Sequence, residues 1–148
     1  MTTLTTERKL EVYLIVDHPI LSSSELSRIL TLPADECWDV GQKYKPTPTS
    51  SQQYYQFSRW ALRTVADSLN DLPRAINVLT SRIRGIEQQF LLLPSDSTVS
   101  LTLFATEIDT VIGMGIDVET INLLARIRAC IEVSLVVTSP AGDRKSVV

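Results

Sequence analysis

The chain is poor in the residues that usually announce a chemistry. It has one histidine, two cysteines and five glycines among 148 residues. Cys37 and Cys130 stand far apart and form no C-x-x-C pair. They are expected to be reduced structural thiols, with a disulfide or redox role as the weaker reading. His18, even with Asp17 beside it, lacks the convergent Cys or His partners of a zinc site. His18-Pro19 reads as a loop at a strand end, and a catalytic or metal role is the weaker alternative. There is no G-x-S-x-G elbow, no H-E-x-x-H and no phosphate loop. Gly113-Met114-Gly115 lacks the further glycine and the preceding strand of a dinucleotide fingerprint. No catalytic residue, metal or cofactor is expected, although these absences do not by themselves exclude an enzyme.

Other absences concern location and partners. No apolar run approaches the roughly 20 residues of a membrane helix. Met1–Lys9 has no apolar core like that of a signal peptide. A cytoplasmic protein without a membrane partner is the expectation. The formal net charge is −3, so the broad basic footprint of a nucleic-acid binder is missing, and DNA or RNA is not an expected partner.

What is present suits one domain with a proper core. The composition is 44% hydrophobic and 21% charged, ordinary for a globular protein. Leu10, Val12, Leu14 and Val16 alternate with Glu11, Tyr13, Ile15 and Asp17, which predicts a strand. Ser22-Ser23-Ser24-Glu25 fits a capping box ahead of the helix stripe Leu26, Ile29 and Leu30, which Leu32-Pro33 stops. Glu36–Val40 reads as a short strand. Residues 42–57 are rich in Ser, Thr, Pro and Gln and read as a long connection, functional or disordered. Ser58–Thr64 reads as a strand with Trp60 and Leu62 on one face and Arg59, Ala61 and Arg63 on the other.

The second half carries the clearest helical pattern. Leu72, Ile76, Leu79, Ile83, Ile86 and Phe90 recur at steps of four and three, behind a cap at Asn70 or Asp71 and with Pro73 in the first turn. Pro94-Ser95-Asp96 breaks it. Val99, Leu101, Leu103 and Ala105 make another strand. Val111–Gly115 is a short strand or a loop. Asp117 reads as the cap of a helix carrying Val118, Ile121, Leu124 and Ala125. Ile131, Val133, Leu135 and Val137 make the last strand. The order is βαββαβαβ. The expected fold is α+β: a two-layer sandwich, mainly antiparallel sheet with helices on one face, a ferredoxin-like variant. The domain is expected over residues 9–138, with flexible termini at 1–8 and 139–148.

One layout resembles a known family. A strand leads into Glu25-Leu26-Ser27-Arg28-Ile29-Leu30, then Leu32-Pro33-Ala34-Asp35 and Cys37-Trp38-Asp39-Val40-Gly41. After a variable loop comes Arg59-Trp60-Ala61-Leu62, and later Gly115-Ile116-Asp117-Val118-Glu119. This resembles the bacterial domain of unknown function family 4279 over roughly residues 9–138. Family members often carry a basic residue after the first Trp, where this chain has Asp39, so the resemblance implies no anion site there. It implies a fold and a lineage but no reaction.

The candidate site residues fall in two groups. Trp38 and Trp60, with the 42–57 loop, would line a pocket for a small ligand or substrate, or would simply anchor the core. Asp35, Glu36 and Asp39 around Trp38 would bind a cation or basic partner, or form a solvated turn. The second group is the mixed sheet face: Tyr13, Arg59, Arg63, Phe104 and Glu132, with Glu11, Thr102 and Ser134 beside them. It suits a partner protein or self-association, or is a plain solvated face. An RNA-recognition sheet also stacks aromatics but needs basic surroundings. The C-terminal Ser146-Val147-Val148 superficially matches a ligand for a carboxylate-capturing domain. The function expected is a small protein-interaction module, of which an immunity-type protein is one version. The alternative is a ligand-binding or enzymatic domain.

Overall fold

A computed structural model describes residues 10–43, 53–106 and 116–136. The expectations for residues 1–9, most of the 42–57 loop, Val111–Gly115 and the C-terminal tail lie outside these residues.

Five strands form one sheet: β1 (Leu10–His18), β2 (Glu36–Trp38), β3 (Ser58–Ala66), β4 (Thr98–Thr106) and β5 (Cys130–Val136). Their spatial order is β2-β3-β1-β4-β5. β1 pairs antiparallel with both β3 and β4, and β2 antiparallel with β3. β5 runs parallel to β4, so the sheet is mixed. Four helices accompany it: α1 (Ser23–Leu30), α2 (Leu72–Ile83), α3 (Glu87–Leu91) and α4 (Val118–Arg126). The architecture is α+β, and an open sheet with helices fits a two-layer sandwich.

The period of two on β1 decides which layer is the core. Leu10, Val12, Leu14 and Val16 pack with Trp60 and Leu62 of β3 and with Val99, Leu101 and Leu103 of β4. The same cluster holds Leu26 and Leu30 of α1, Leu72, Ile76, Leu79 and Ile83 of α2, Phe90 of α3, and Leu123 and Leu124 of α4. The apolar sides of the helices therefore meet one face of the sheet.

Local chemistry sets the helix ends. Ser22 Oγ accepts the Glu25 N–H at 3.1 Å, and the Glu25 carboxylate accepts the Ser22 N–H at 3.0 Å, completing the capping box. Thr31 ends α1 in the left-handed region, with φ of 58°, and Pro33 prevents continuation. Asp117 Oδ1 accepts the Thr120 N–H at 2.7 Å and starts α4.

Two helical expectations change. The stripe from Leu72 to Phe90 is not one helix: Gly85, with φ of +96°, divides it into α2 and α3. Phe90 nevertheless reaches the core. α4 is rotated relative to the expected stripe. It buries Thr120, Leu123 and Leu124, while Val118 and Ile121 are 69% and 46% exposed. The apolar count on the two sides is similar, so periodicity alone did not separate them.

Candidate functional site

The face opposite the helices carries most of the candidates, because residues on antiparallel partners point to the same side. In register, Trp38 lies across from Arg59 and Arg59 from Asp17. Glu36 lies across from Ala61, and Ala61 from Ile15. Arg63 lies across from Tyr13, Tyr13 from Thr102, and Thr102 from Glu132.

Two side-chain clusters result. In the first, Arg59 donates to both Asp17 carboxylate oxygens at 2.8 and 2.9 Å. Its guanidinium also sits 4.6 Å from the Trp38 ring centroid, within cation–π range. Trp38 stacks on Tyr55 at 4.2 Å and donates its indole N–H to the Phe57 carbonyl at 3.0 Å. In the second, Arg63 donates to Glu11 at 2.8 Å and lies 3.5 Å from Glu36. Tyr13 donates to Glu11 at 3.3 Å and meets the edge of Phe104 at 5.4 Å. Burial, then the charges of Glu11 and Glu36, push the Tyr13 hydroxyl above the usual tyrosine range. The hydrogen bond it donates to Glu11 holds Arg63 more firmly protonated.

Between these clusters the face is dry. Ile15 is 4% exposed, Ala61 1%, Ser100 8% and Thr102 4%. Ser100 and Thr102 satisfy one another through their hydroxyls at 2.9 Å. The arrangement is a floor of short side chains beside taller aromatic and paired charged ones.

Trp60 does not belong here. It is fully buried on the helix side, pairs in register with Cys37, and donates its indole N–H to the Leu32 carbonyl at 2.9 Å. Trp38 occupies the opposite face, one position along β2. The two indoles therefore line no common pocket. Consecutive strand residues face opposite ways, so two Trp residues on neighbouring strands share a face only in one of two registers. Glu132 is on the outer face but exposed on β5, two strands from Tyr13, and it accepts a contact from the Cys130 thiol at 3.9 Å.

The acids around Trp38 have internal roles. Asp35 accepts from Arg82 and from the Arg63 backbone N–H at 2.9 Å, and the Arg82 hydrogen bond holds its carboxyl below the usual range. Asp39 accepts the Ser23 N–H at 2.7 Å at the start of α1. It fills with its own carboxylate a place where a helix would attract an anion. Among the described residues no group of His, Cys, Asp and Glu could hold a metal ion.

His18 is more than a loop residue. It is 4% exposed, and its Nδ1 accepts the Ile20 and Leu21 N–H groups, each at 2.9 Å. That makes Nε2 the protonated nitrogen, which donates to Asp96 at 2.8 Å. An imidazole with both nitrogens committed in this way ties two turns together and has no free lone pair for a base. The signal available in sequence was a polar residue in phase with Leu10, Val12, Leu14 and Val16. An open cleft of about 310 Å³ lies elsewhere, lined by Pro73, Ile76, Ile116, Asp117 and Thr120. No helix among the described residues is long and apolar enough to cross a membrane.

Comparisons with protein-family models, with curated proteins and with solved structures find no match.

Proposed function

We propose that this is a protein-interaction module that docks a partner protein on the sheet face opposite its helices. The observation that carries this reading is the half-buried group of Tyr13, Trp38, Arg59, Arg63 and Phe104 gathered on one face of the sheet. Tyr, Trp and Arg are the residue types that dominate binding energy at protein interfaces. Here each Arg is already held by an acid on the same face. Side chains fixed before docking lose less freedom on docking. An immunity-type partner of a toxin is one version, supported by small size, mild acidity and the lack of catalytic motifs. A cytoplasmic setting and membership of the domain of unknown function family 4279 belong to the same proposal and rest on the sequence features. The ferredoxin-like reading is supported by β1–α1–β2 and β3–α2–β4, each of which skips one antiparallel strand.

The test is affinity purification from the native host with the wild-type chain and with Tyr13→Ala/Phe104→Ala. A stoichiometric partner kept by the wild type and lost by the double variant, with the far-UV spectrum unchanged, is the expected result. A partner retained equally by both, or a chain that captures nothing at any concentration, overturns the reading. Trp38 and Trp60 face opposite ways, so a small-ligand site shared by the two indoles is not the reading favoured here.

A further inference from the structure

His18 closes β1 on the core side of the strand, in phase with Leu10, Val12, Leu14 and Val16. An apolar residue would suit that place. The imidazole is kept there by three hydrogen bonds, as a buried polar group must be. They are unequal in kind. On one side of the ring Nδ1 accepts the Ile20 and Leu21 N–H groups, and on the other Nε2–H donates to the Asp96 carboxylate.

The two sides respond differently to a second proton. A neutral imidazole has one in-plane lone pair, and here two backbone amides share it. A proton added at Nδ1 turns that acceptor into a donor facing two donors. The nearby charged groups offer no substitute acceptor. Asp96, in the turn before β4, meets Nε2. The carboxylate of Glu25 senses the charge of the ring but is held by the Ser22 N–H and hydroxyl. Asp39, after β2, is taken by the Ser23 N–H. Asp17, the preceding residue, is on the opposite face and is taken by Arg59. The released amides must therefore turn to water. Ile20, 74% exposed, is already at the surface.

We propose that His18 is a pH-sensitive latch: a second proton on its ring releases residues 19–21 from the end of β1 and leaves the bond to Asp96 in place. Nε2–H donates to Asp96 in either state, so that side stays fastened. The start of α1 also stays fastened, because Ser22, Glu25 and Asp39 hold it through bonds that do not involve the ring. The opening is therefore local, confined to the link between β1 and α1. Histidine is the side chain that ordinarily changes charge between about pH 5 and 8, which makes it the usual trigger of such devices. The latch lies on the core side of the sheet, away from the docking face of the proposed function, so the two ideas stand or fall separately.

Solution NMR of the full chain tests it. The imidazole nitrogen shifts report the ring, and amide hydrogen exchange, corrected for its intrinsic pH dependence, reports the segment. At neutral pH the ring proton is expected on Nε2, with the Ile20 and Leu21 amides protected. On acidification the protection of both should fall at least about tenfold, with the same midpoint as the second protonation of the ring, while the central amides of β1 keep theirs. His18→Asn keeps an acceptor oxygen in place of Nδ1 and cannot take up the proton. Its protection at Ile20 and Leu21 is expected to stay level over the same range. Three results would each overturn the inference: a doubly protonated ring with both amides still protected, a ring that stays neutral until the whole chain unfolds, or the same loss of protection in His18→Asn. The wild-type measurement decides even if the variant does not fold.

Discussion

The Asp39 carboxylate accepts the backbone N–H of Ser23 at 2.7 Å, across a separation of 16 residues. This bond fastens the segment after β2 to the start of α1. It supplements Ser22, which takes the Glu25 N–H in the same first turn. A helix start has several unsatisfied donors, so two acceptors can serve it without competing.

Asp39→Ala is accordingly expected to lower stability by about 1 kcal/mol, the usual cost of a lost cap. Chemical denaturation checks it. Asp39→Asn retains the acceptor oxygen but not the charge and is expected to lose less. Equal losses would assign the whole effect to the charge and none of it to the acceptor oxygen.

The two tryptophans are expected to separate cleanly. Trp60→Ala empties a fully buried site and should cost about 3–5 kcal/mol, or prevent folding. Trp38→Ala removes a partly exposed ring and its contact with Arg59 and should cost distinctly less. An aqueous quencher should reach Trp38 in a Trp60→Phe chain and should barely reach Trp60 in a Trp38→Phe chain. Equal quenching would contradict the placement on opposite faces.

Stability should fall in acid, and the sign follows from the carboxylates. The Arg74 hydrogen bond, then the Asp67 backbone N–H, hold Asp71 down from 3.8 to about 2. A carboxyl depressed in the folded state stabilises above its unfolded pKa. That contribution disappears as pH falls from about 4 through about 2. Asp35 and Glu25 are shifted in the same direction. Asp71→Asn should therefore be less stable than the wild type at neutral pH, and the gap should close near pH 2. A gap independent of pH would contradict the assignment.

Both thiols should remain free within one chain. Cys37 lies on β2 and Cys130 on β5, the two edge strands, and both are exposed. Four strand spacings of about 4.8 Å place them roughly 19 Å apart, far beyond the ~7 Å limit for a disulfide. A thiol reagent should titrate both without denaturant. An intramolecular disulfide in the folded chain would overturn the strand order.

Much of the local structure was legible in the residues. The capping box at Ser22 and Glu25, the stop at Pro33, the cap at Asp117 and the alternation on β1 all act over a few positions, and each appears as expected. The break at Gly85 is not legible in the periodicity, because the apolar stripe continues in phase on both sides of it. The buried side of α4 is not legible in the periodicity, because Val118 and Ile121 are as apolar as the buried Leu123 and Leu124. The candidates of the sheet face were identified by their alternation with core residues. Their grouping into an Arg59 cluster and an Arg63 cluster needed the pairing of strands distant in sequence.

The amino-acid sequence by itself determined the strands, the caps at Ser22 and Asp117 and which side of β1 and β3 is apolar, because those depend on neighbours two to four positions away. Only the tertiary structure decided that Trp38 and Trp60 face opposite ways, that His18 ties two turns, and that Asp35 and Arg74 close off the β3 backbone beyond β2. Those depend on strand register and order, which bring together Asp17 and Arg59, His18 and Asp96, and Asp35 and Arg63 across long stretches of chain. A register shift of one residue would turn every one of these side chains to the other face while leaving the local pattern unchanged.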